Sequence, residues 1–299
     1  MNNTSDLASR LAQLHTDMAA GEGTPLEKAE HEGDTANGHE FAAVLQACRI
    51  LGFLEHDAQC VANAWRAQSH RTGAFNPEAW PIHPADFGLN TAPCAQAFAA
   101  CPQRLGLYAV LPDAQWVARM ASAGVPTLQL RFKSNDDDAV RQQVRAAVQA
   151  VKGSRSRLFI NDHWRVAIEE GAYGVHLGQE DMADVPLAQV RDAGVRLGLS
   201  THGYAEMLRA EAHQPSYMAL GAVFPTTLKR MATAPQGLGR LNAYAKLMRH
   251  RPLVAIGGID ETRMADVQRS GVGSVAVVRA IVGAPDPESA AARLNRLLG

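Results

Sequence analysis

The sequence predicts an α/β fold, a (β/α)8 TIM barrel with an N-terminal, mostly helical extension. Three observations lead there. From Leu105 onward, short apolar runs alternate with helical stretches eight times over the remaining two thirds of the chain. Polar residues with chemical potential fall at the C-terminal ends of those runs. Before Leu105 the texture differs, with helical periodicity followed by a proline-rich stretch. The expected division is therefore 1–104 for the extension and 105–299 for the barrel. An open doubly wound sheet is the second choice, since it normally lacks the full eightfold alternation.

Taken in order, Ser5 to Ala20 carries Leu7, Leu11 and Leu14 on one helical face. A polar stretch, Gly21 to Gly38, follows. Phe41 to Ala67 again reads helical, broken at Gly52 into two helices. Pro77, Pro81, Pro84 and Pro93 then mark a linker or irregular strap, with Trp65, Trp80 and Phe87 available to pin it to a neighbouring surface. The strands expected are Leu105–Val110, Thr127–Arg131, Leu158–Asn161, Gly174–His176, Arg196–Ser200, Tyr217–Leu220, Leu253–Ile256 and Ser274–Val278. Helices are expected at Ala114–Ala123, Ala139–Val151, His163–Glu170, Leu187–Ala193, Ala205–Ala212, Leu241–Arg249, Glu261–Ser270 and Pro287–Leu298.

Composition narrows the function classes. Apolar residues make up 46% of the 299, enough for a full core. The formal net charge of −1 argues against a general nucleic-acid binder or a polybasic membrane protein. No apolar run approaches the roughly 18 residues that span a bilayer, and the first residues lack the pattern of a secretory leader. Cys48, Cys60, Cys94 and Cys101 show neither C-x-x-C pairing nor a zinc spacing, so free thiols in a reducing cytoplasm are expected. Small molecules are the expected partners, with no nucleic acid and no membrane. The sequence leaves a homo-oligomer open.

The strand ends carry the chemistry. Along the second strand Gln129, Arg131 and Lys133 share one face. Burying adjacent cations is costly without an anion to meet them. Asp162 after the third strand and Asp181 after the fourth are hard oxygen ligands that suit a divalent cation. Together they predict a site for magnesium and a phosphorylated ligand. Each has a plainer reading. Arg131 and Asp162 could form a structural ion pair, Asp162 could cap a helix, and Asp181 could be a solvated loop acid. His176, between valine and leucine, reads as a satisfied core histidine, and His202 is more open. Ser200-Thr201 could cap the next helix, and no nucleophile elbow surrounds Ser200. Gly257-Gly258 after the seventh strand suits backbone binding of phosphate or a tight turn. Thr226 to Leu238 is long for a loop in a compact domain, and Lys229 and Arg230 lie within it.

In this order and spacing the motifs resemble the thiamine-phosphate synthase family, over roughly Leu105 to the C-terminus. The resemblance rests on QLRFK (Gln129–Lys133), INDHW (Ile160–Trp164), GVHLGQED (Gly174–Asp181), LGLSTH (Leu197–His202), VFPTTLK (Val223–Lys229), APQGL (Ala234–Leu238) and AIGGI (Ala255–Ile259). It implies a (β/α)8 barrel that joins hydroxymethylpyrimidine pyrophosphate to a thiazole phosphate with magnesium, releasing pyrophosphate. It also implies roles: Gln129, Arg131, Lys133, Asn161 and Lys229 on the pyrophosphate, Asp162 and Asp181 on the metal, and Ser200 at the pyrimidine diphosphate end. Thr226, Thr227, the Gly258 amide and the backbone at Val278 and Arg279 would hold the thiazole phosphate. Leu228 stands where the family often has a second hydroxyl, and Arg279 where it more often has serine. A thiazole tautomerase-like protein, or a catalytically silent regulatory barrel, is the alternative. In the extension, Gly33-Asp34-Thr35 and the helices after it resemble the last part of a ribokinase-like pyrimidine kinase, which implies a fusion remnant or a packing appendage; a regulatory or partner-binding helical module is the alternative.

Overall fold

A computed structural model describes residues 3–21, 38–92, 96–226 and 233–299. Eight parallel strands close in sequence order into a barrel. They are β1 (Gly106–Leu111), β2 (Thr127–Leu130), β3 (Arg157–Asn161), β4 (Gly174–Leu177), β5 (Arg196–Thr201), β6 (Tyr217–Leu220), β7 (Leu253–Ile256) and β8 (Ser274–Val277). Closure is made by β1 against β8, with Gly106 opposite Ser274. All eight expected runs are strands, within a residue or so at each end. β2 stops at Leu130, although Arg131 N–H still donates to Leu111 O (2.8 Å) and extends the ladder by one bond.

The chain's twelve helices among the described residues begin in the extension, with α1 (Asn3–Leu14), α2 (His39–Ile50) and α3 (Glu55–Thr72). Around the barrel run α4 (Ala114–Ser122), α5 (Asp137–Val151), α6 (Trp164–Glu169), α7 (Leu187–Asp192), α8 (Tyr204–Glu211), α9 (Gly237–Leu247), α10 (Met264–Arg269), α11 (Arg279–Val282) and α12 (Pro287–Leu298). Asp113, Asp136 and Asp286 cap α4, α5 and α12 through their side chains, which fixes where those helices start. Two starts differ from expectation by three residues or more. α9 begins at Gly237 rather than Leu241, because Gly237 and Gly239 lower the helix signal of its first turn. α10 begins at Met264 rather than Glu261, because Asp260 accepts from Thr262 and Arg263 N–H and holds that stretch as a turn. The single turn α11 was not expected.

Two apolar layers result. Inside the barrel Tyr108, Val110, Phe159, Tyr217, Ala219, Val254 and Ala276 fill the lumen with Leu105. Gly198 makes room there, since a Cβ would sit 2.1 Å from the Tyr217 ring. The second layer lies between strands and helices and runs without a break into the extension, taking in Leu11, Val44, Phe53, Val61 and Trp65. The strap after α3 is pinned as expected by Trp80, whose Nε1–H donates to Tyr204 OH (2.9 Å), and by Phe87, stacked on the same ring at 5.1 Å. Trp65 grips the strap from α3 instead, against Phe75 and Trp80. Gly33-Asp34-Thr35, Pro93 and Cys94 lie outside the described residues. Among the described residues no helix is long and apolar enough to cross a membrane.

Candidate active site

Parallel strands direct their C-terminal ends to one mouth, and there a cavity of about 560 Å³ opens. Eleven of the residues given a role by the resemblance line it, namely Gln129, Arg131, Lys133, Asn161, Asp162, Asp181, Ser200, Thr226, Gly258, Val278 and Arg279, along with His176, Thr201, His202 and Gly257. Thr227, Leu228, Lys229 and Arg230 lie outside the described residues.

The first wall comes from β2 and β3. Gln129 Nε2 donates to Asn161 Oδ1 (2.7 Å), so two buried amides fix each other's orientation at adjacent strand ends. Arg131 and Lys133 follow in the loop after β2, and His163 holds that loop by a 3.1 Å contact from Nε2 to Phe132 O. Among the described residues no ion pair involves Arg131 or Lys133, whereas Arg71, Arg145 and Arg251 on the periphery each have a carboxylate partner. Among the described residues, Arg131 and Lys133 are therefore available to a ligand.

The carboxylates follow at the ends of β3 and β4. Asp162 takes a left-handed conformation (φ 63°), which aspartate tolerates better than most residues. Its N–H donates to His176 O (3.0 Å), tying the β3 end to β4. The helix behind it starts at Trp164 after His163, so Asp162 is not its cap residue. Burial raises the Asp162 carboxyl above the usual carboxylate range, and the charge of Asp181 raises it further. Lys133, His163 and Arg131 oppose that shift. Asp181 is held in place by Gly178 N–H, which donates to Oδ2 at 2.8 Å.

The remaining arc is built by β4 to β8. His176 is held on both ring nitrogens, by Ser200 Oγ (2.8 Å) and Tyr217 OH (2.7 Å), and Tyr217 OH meets Tyr108 OH (2.7 Å). It is a satisfied histidine, as expected, yet it also reaches the cavity floor. His202 pairs with Glu206 (2.7 Å). Burial alone would raise Glu206, but that hydrogen bond and charge bring it below the usual range. At Gly258 the backbone is left-handed (φ 64°), and a Cβ would sit 2.5 Å from Pro225 O. Only glycine lets the β7 turn lie this close to the chain after β6. Glu180, Asp260 and Arg263 also line the cavity and were not singled out. Arg263 donates to Gly258 O and lies over the Phe224 ring at 4.5 Å. It lies in the turn before α10, within a stretch expected to be helical, so no strand-end signal marked it.

No cluster of three or more His, Cys, Asp or Glu side chains forms a metal cage among the described residues. Asp162 and Asp181 are two of the four carboxylates that line the cavity, and such a pair fits magnesium, since that ion commonly takes one or two protein carboxylates and completes its shell with water and phosphate.

A parallel (β/α)8 barrel whose mouth gathers basic side chains, carboxylates and a glycine turn in one cavity defines an enzyme for phosphorylated small molecules. Residues 107–281 match the family model described as thiamine monophosphate synthase. Thiamine-phosphate synthase of Neisseria meningitidis serogroup B is 54% identical over 185 residues, covering 62% of this chain and 90% of that protein. The Serratia proteamaculans enzyme of the same name is 51% identical over 201 residues, covering 67% and 95%. The solved thiamine phosphate pyrophosphorylase from Pyrococcus furiosus superposes with a TM-score of 0.57 at 28% identity, covering 65% of this chain and 95% of that one. The chain belongs to the thiamine monophosphate synthase family. It is a transferase of the class that joins a pyrimidine pyrophosphate to a thiazole phosphate, and neither the tautomerase-like nor the silent regulatory alternative is favoured.

Proposed function

We propose that the cavity performs this transfer by magnesium-assisted, dissociative displacement, with roles divided around its rim. The observation that carries the reading is that Gln129, Arg131, Lys133, Asn161, Asp162 and Asp181 line one cavity although they come from three different strand ends. Breaking the C–O bond to pyrophosphate creates negative charge on the leaving group. Arg131 and Lys133 stabilise that charge where it develops, Gln129 and Asn161 orient the diphosphate by hydrogen bonds, and Lys229 completes the cradle. Asp162 and Asp181 hold the magnesium, which when bound neutralises diphosphate oxygens as a Lewis acid. Ser200, oriented by His176, touches the pyrimidine diphosphate end. Thr226, Thr227 and the Gly258 amide take the thiazole phosphate together with the backbone at Val278 and Arg279. The pyrimidine's amino group feeds electrons toward the departing methylene, and the thiazole nitrogen attacks with its own lone pair. No side-chain base is required.

Residues 105–299 carry this chemistry in the proposal, and 1–104 form an appendage packed on the barrel. Cys48, Cys60 and Cys101 are free thiols, and burial raises each, which agrees with a structural role in a reducing cytoplasm. The test is direct. The two phosphorylated substrates are mixed with the protein, with and without magnesium, and thiamine phosphate and pyrophosphate are measured. Product is expected only with magnesium. Arg131→Ala should lower turnover on the order of a hundred-fold or more with the thermal melt unchanged, and a folded Arg131→Ala at full turnover overturns the assignment.

A further inference from the structure

The family match begins at Leu107, and its relatives are covered almost end to end by about two thirds of this chain. The extension is additional to that shared domain. We propose that it is a positioning element of the active site: Asp57 and residues 17–21 hold, from behind, the loops after β5 and β6 that bear the two substrate-binding edges.

The first brace is a borrowed helix cap. α8 starts directly behind Ser200-Thr201-His202, and its own cap residue is Gly203, which has no side chain to offer. Asp57 of α3 supplies the missing acceptor, with Oδ1 taking the Ala205 N–H at 2.8 Å. Its carboxylate occupies the space a side chain at residue 203 would need, since a Cβ on Gly203 would lie 2.1 Å from Asp57 Oδ2. A cap fixes the direction in which the chain enters its helix, and here the entering chain is the cavity edge carrying Ser200 and His202.

The second brace lies on the returning limb of the loop after β6. Gly239 faces Asp17 so closely that a Cβ would meet Asp17 O at 1.9 Å. Arg240 reaches into the extension, donating from Nε to Met18 O (2.8 Å) and from Nη2 to Leu51 O (2.9 Å), with its guanidinium 3.7 Å from the centre of the Phe53 ring. Gly21 N–H donates to Pro235 O at 2.9 Å. Two further bonds pass the restraint inward, from Gln236 N–H to Ala222 O (2.8 Å) and from Gly237 N–H to Val223 O (2.9 Å). Ala222 lines the cavity, and Phe224 N–H donates to Gly257 O (3.0 Å), so the chain of contacts ends at the glycine turn. Gly203 and Gly239 are thus the barrel's imprint of the extension.

The inference rests on the reading of the cavity given above, and the two substrates separate its parts. Asp57→Ala removes the borrowed cap and should raise KM for the pyrimidine pyrophosphate on the order of ten-fold, with KM for the thiazole phosphate little changed. Asp57→Asn keeps a carbonyl acceptor and should return that KM to within about two-fold of the parent. Gly239→Ala displaces residues 17–21 and should raise KM for the thiazole phosphate instead. Thermal melts establish folding. A merely structural role lowers the active fraction, and hence apparent kcat, and leaves both KM values in place; that result overturns the proposal, as do folded variants with parental kinetics. Should Gly239→Ala not fold, the Asp57→Ala and Asp57→Asn pair decides. A parent chain that makes no thiamine phosphate at all fails at the reading of the cavity, which is distinguishable because no variant is involved.

Discussion

Tyr217→Phe removes a single hydroxyl on which two other buried groups depend. Tyr217 OH meets Tyr108 OH and His176 Nδ1, each at 2.7 Å, inside a lumen where Tyr108 is 2% and Tyr217 0% exposed. The ring stays, so its contacts with Phe159 and Tyr108 are kept and the change is almost purely in hydrogen bonding. A buried polar group stripped of its partner costs about 1–3 kcal/mol. Two such groups give about 2–6 kcal/mol. His176 reaches the cavity floor and can change tautomer or meet water there, so the lower half, about 2–4 kcal/mol, is expected. For a chain of this size that corresponds to a fall in Tm of roughly 5–15 °C. A double-mutant cycle sharpens the test. Tyr108→Phe is costly in the parent, but in the Tyr217→Phe background it removes a hydroxyl already orphaned and should be neutral or stabilising. The coupling is expected at about 1–3 kcal/mol. Urea unfolding of the four proteins measures it. Strict additivity, or a Tyr217→Phe midpoint equal to the parent's, refutes the reasoning.

Asp162→Asn keeps the shape and tolerates the left-handed backbone while removing the charge. Because burial and Asp181 raise the Asp162 carboxyl, its stabilising contribution is present when it is protonated and is lost as pH rises through its folded-state value. The metal-free parent should therefore lose stability on that rise and Asp162→Asn should lose less, with magnesium stabilising the parent alone; identical pH–Tm curves for the two would contradict this. Gly258→Ala forces a left-handed alanine, about 1–2 kcal/mol, and a collision with Pro225 O. It should raise KM for the thiazole phosphate more than for the pyrimidine pyrophosphate, and an unshifted pair of KM values in a folded variant would remove Gly258 from the site.

The barrel was legible because parallel strands buried on both faces write themselves as short apolar runs, and the eight runs could be counted. The rim was legible for a related reason: arginine, lysine and aspartate are rarely placed at the ends of such runs without a task, and those described came together in one cavity. What escaped has no periodic signature. Arg263 reaches the cavity from the turn before α10, and the start of α9 was hidden by Gly237 and Gly239. Gly239 looks like a helix breaker until Asp17 is seen against it, more than two hundred residues earlier in the chain. Asp57 reads as an ordinary first-turn helical acid and in fact serves a different helix, 148 residues away. Contacts of that kind depend on how distant segments pack, and no local pattern encodes them.

The charges in the cavity explain why its two halves belong together. Burial raises the cost of ionising Asp162, and the nearby charge of Asp181 adds to it. Arg131 and Lys133 relieve Asp162 only in part and, among the described residues, form no ion pair that would settle them. A site made only for stability would close these charges on one another, as Glu211 and Arg251 do at 2.7 Å on the outside of the barrel. Left apart, the carboxylates attract a cation and the basic groups an anion. In the proposed reaction a magnesium diphosphate would satisfy both demands at once, and its charge would increase on the anionic side as the pyrimidine departs. Under the proposed function, the same separation favours the transition state over the bound substrate, which is the condition for catalysis by electrostatics.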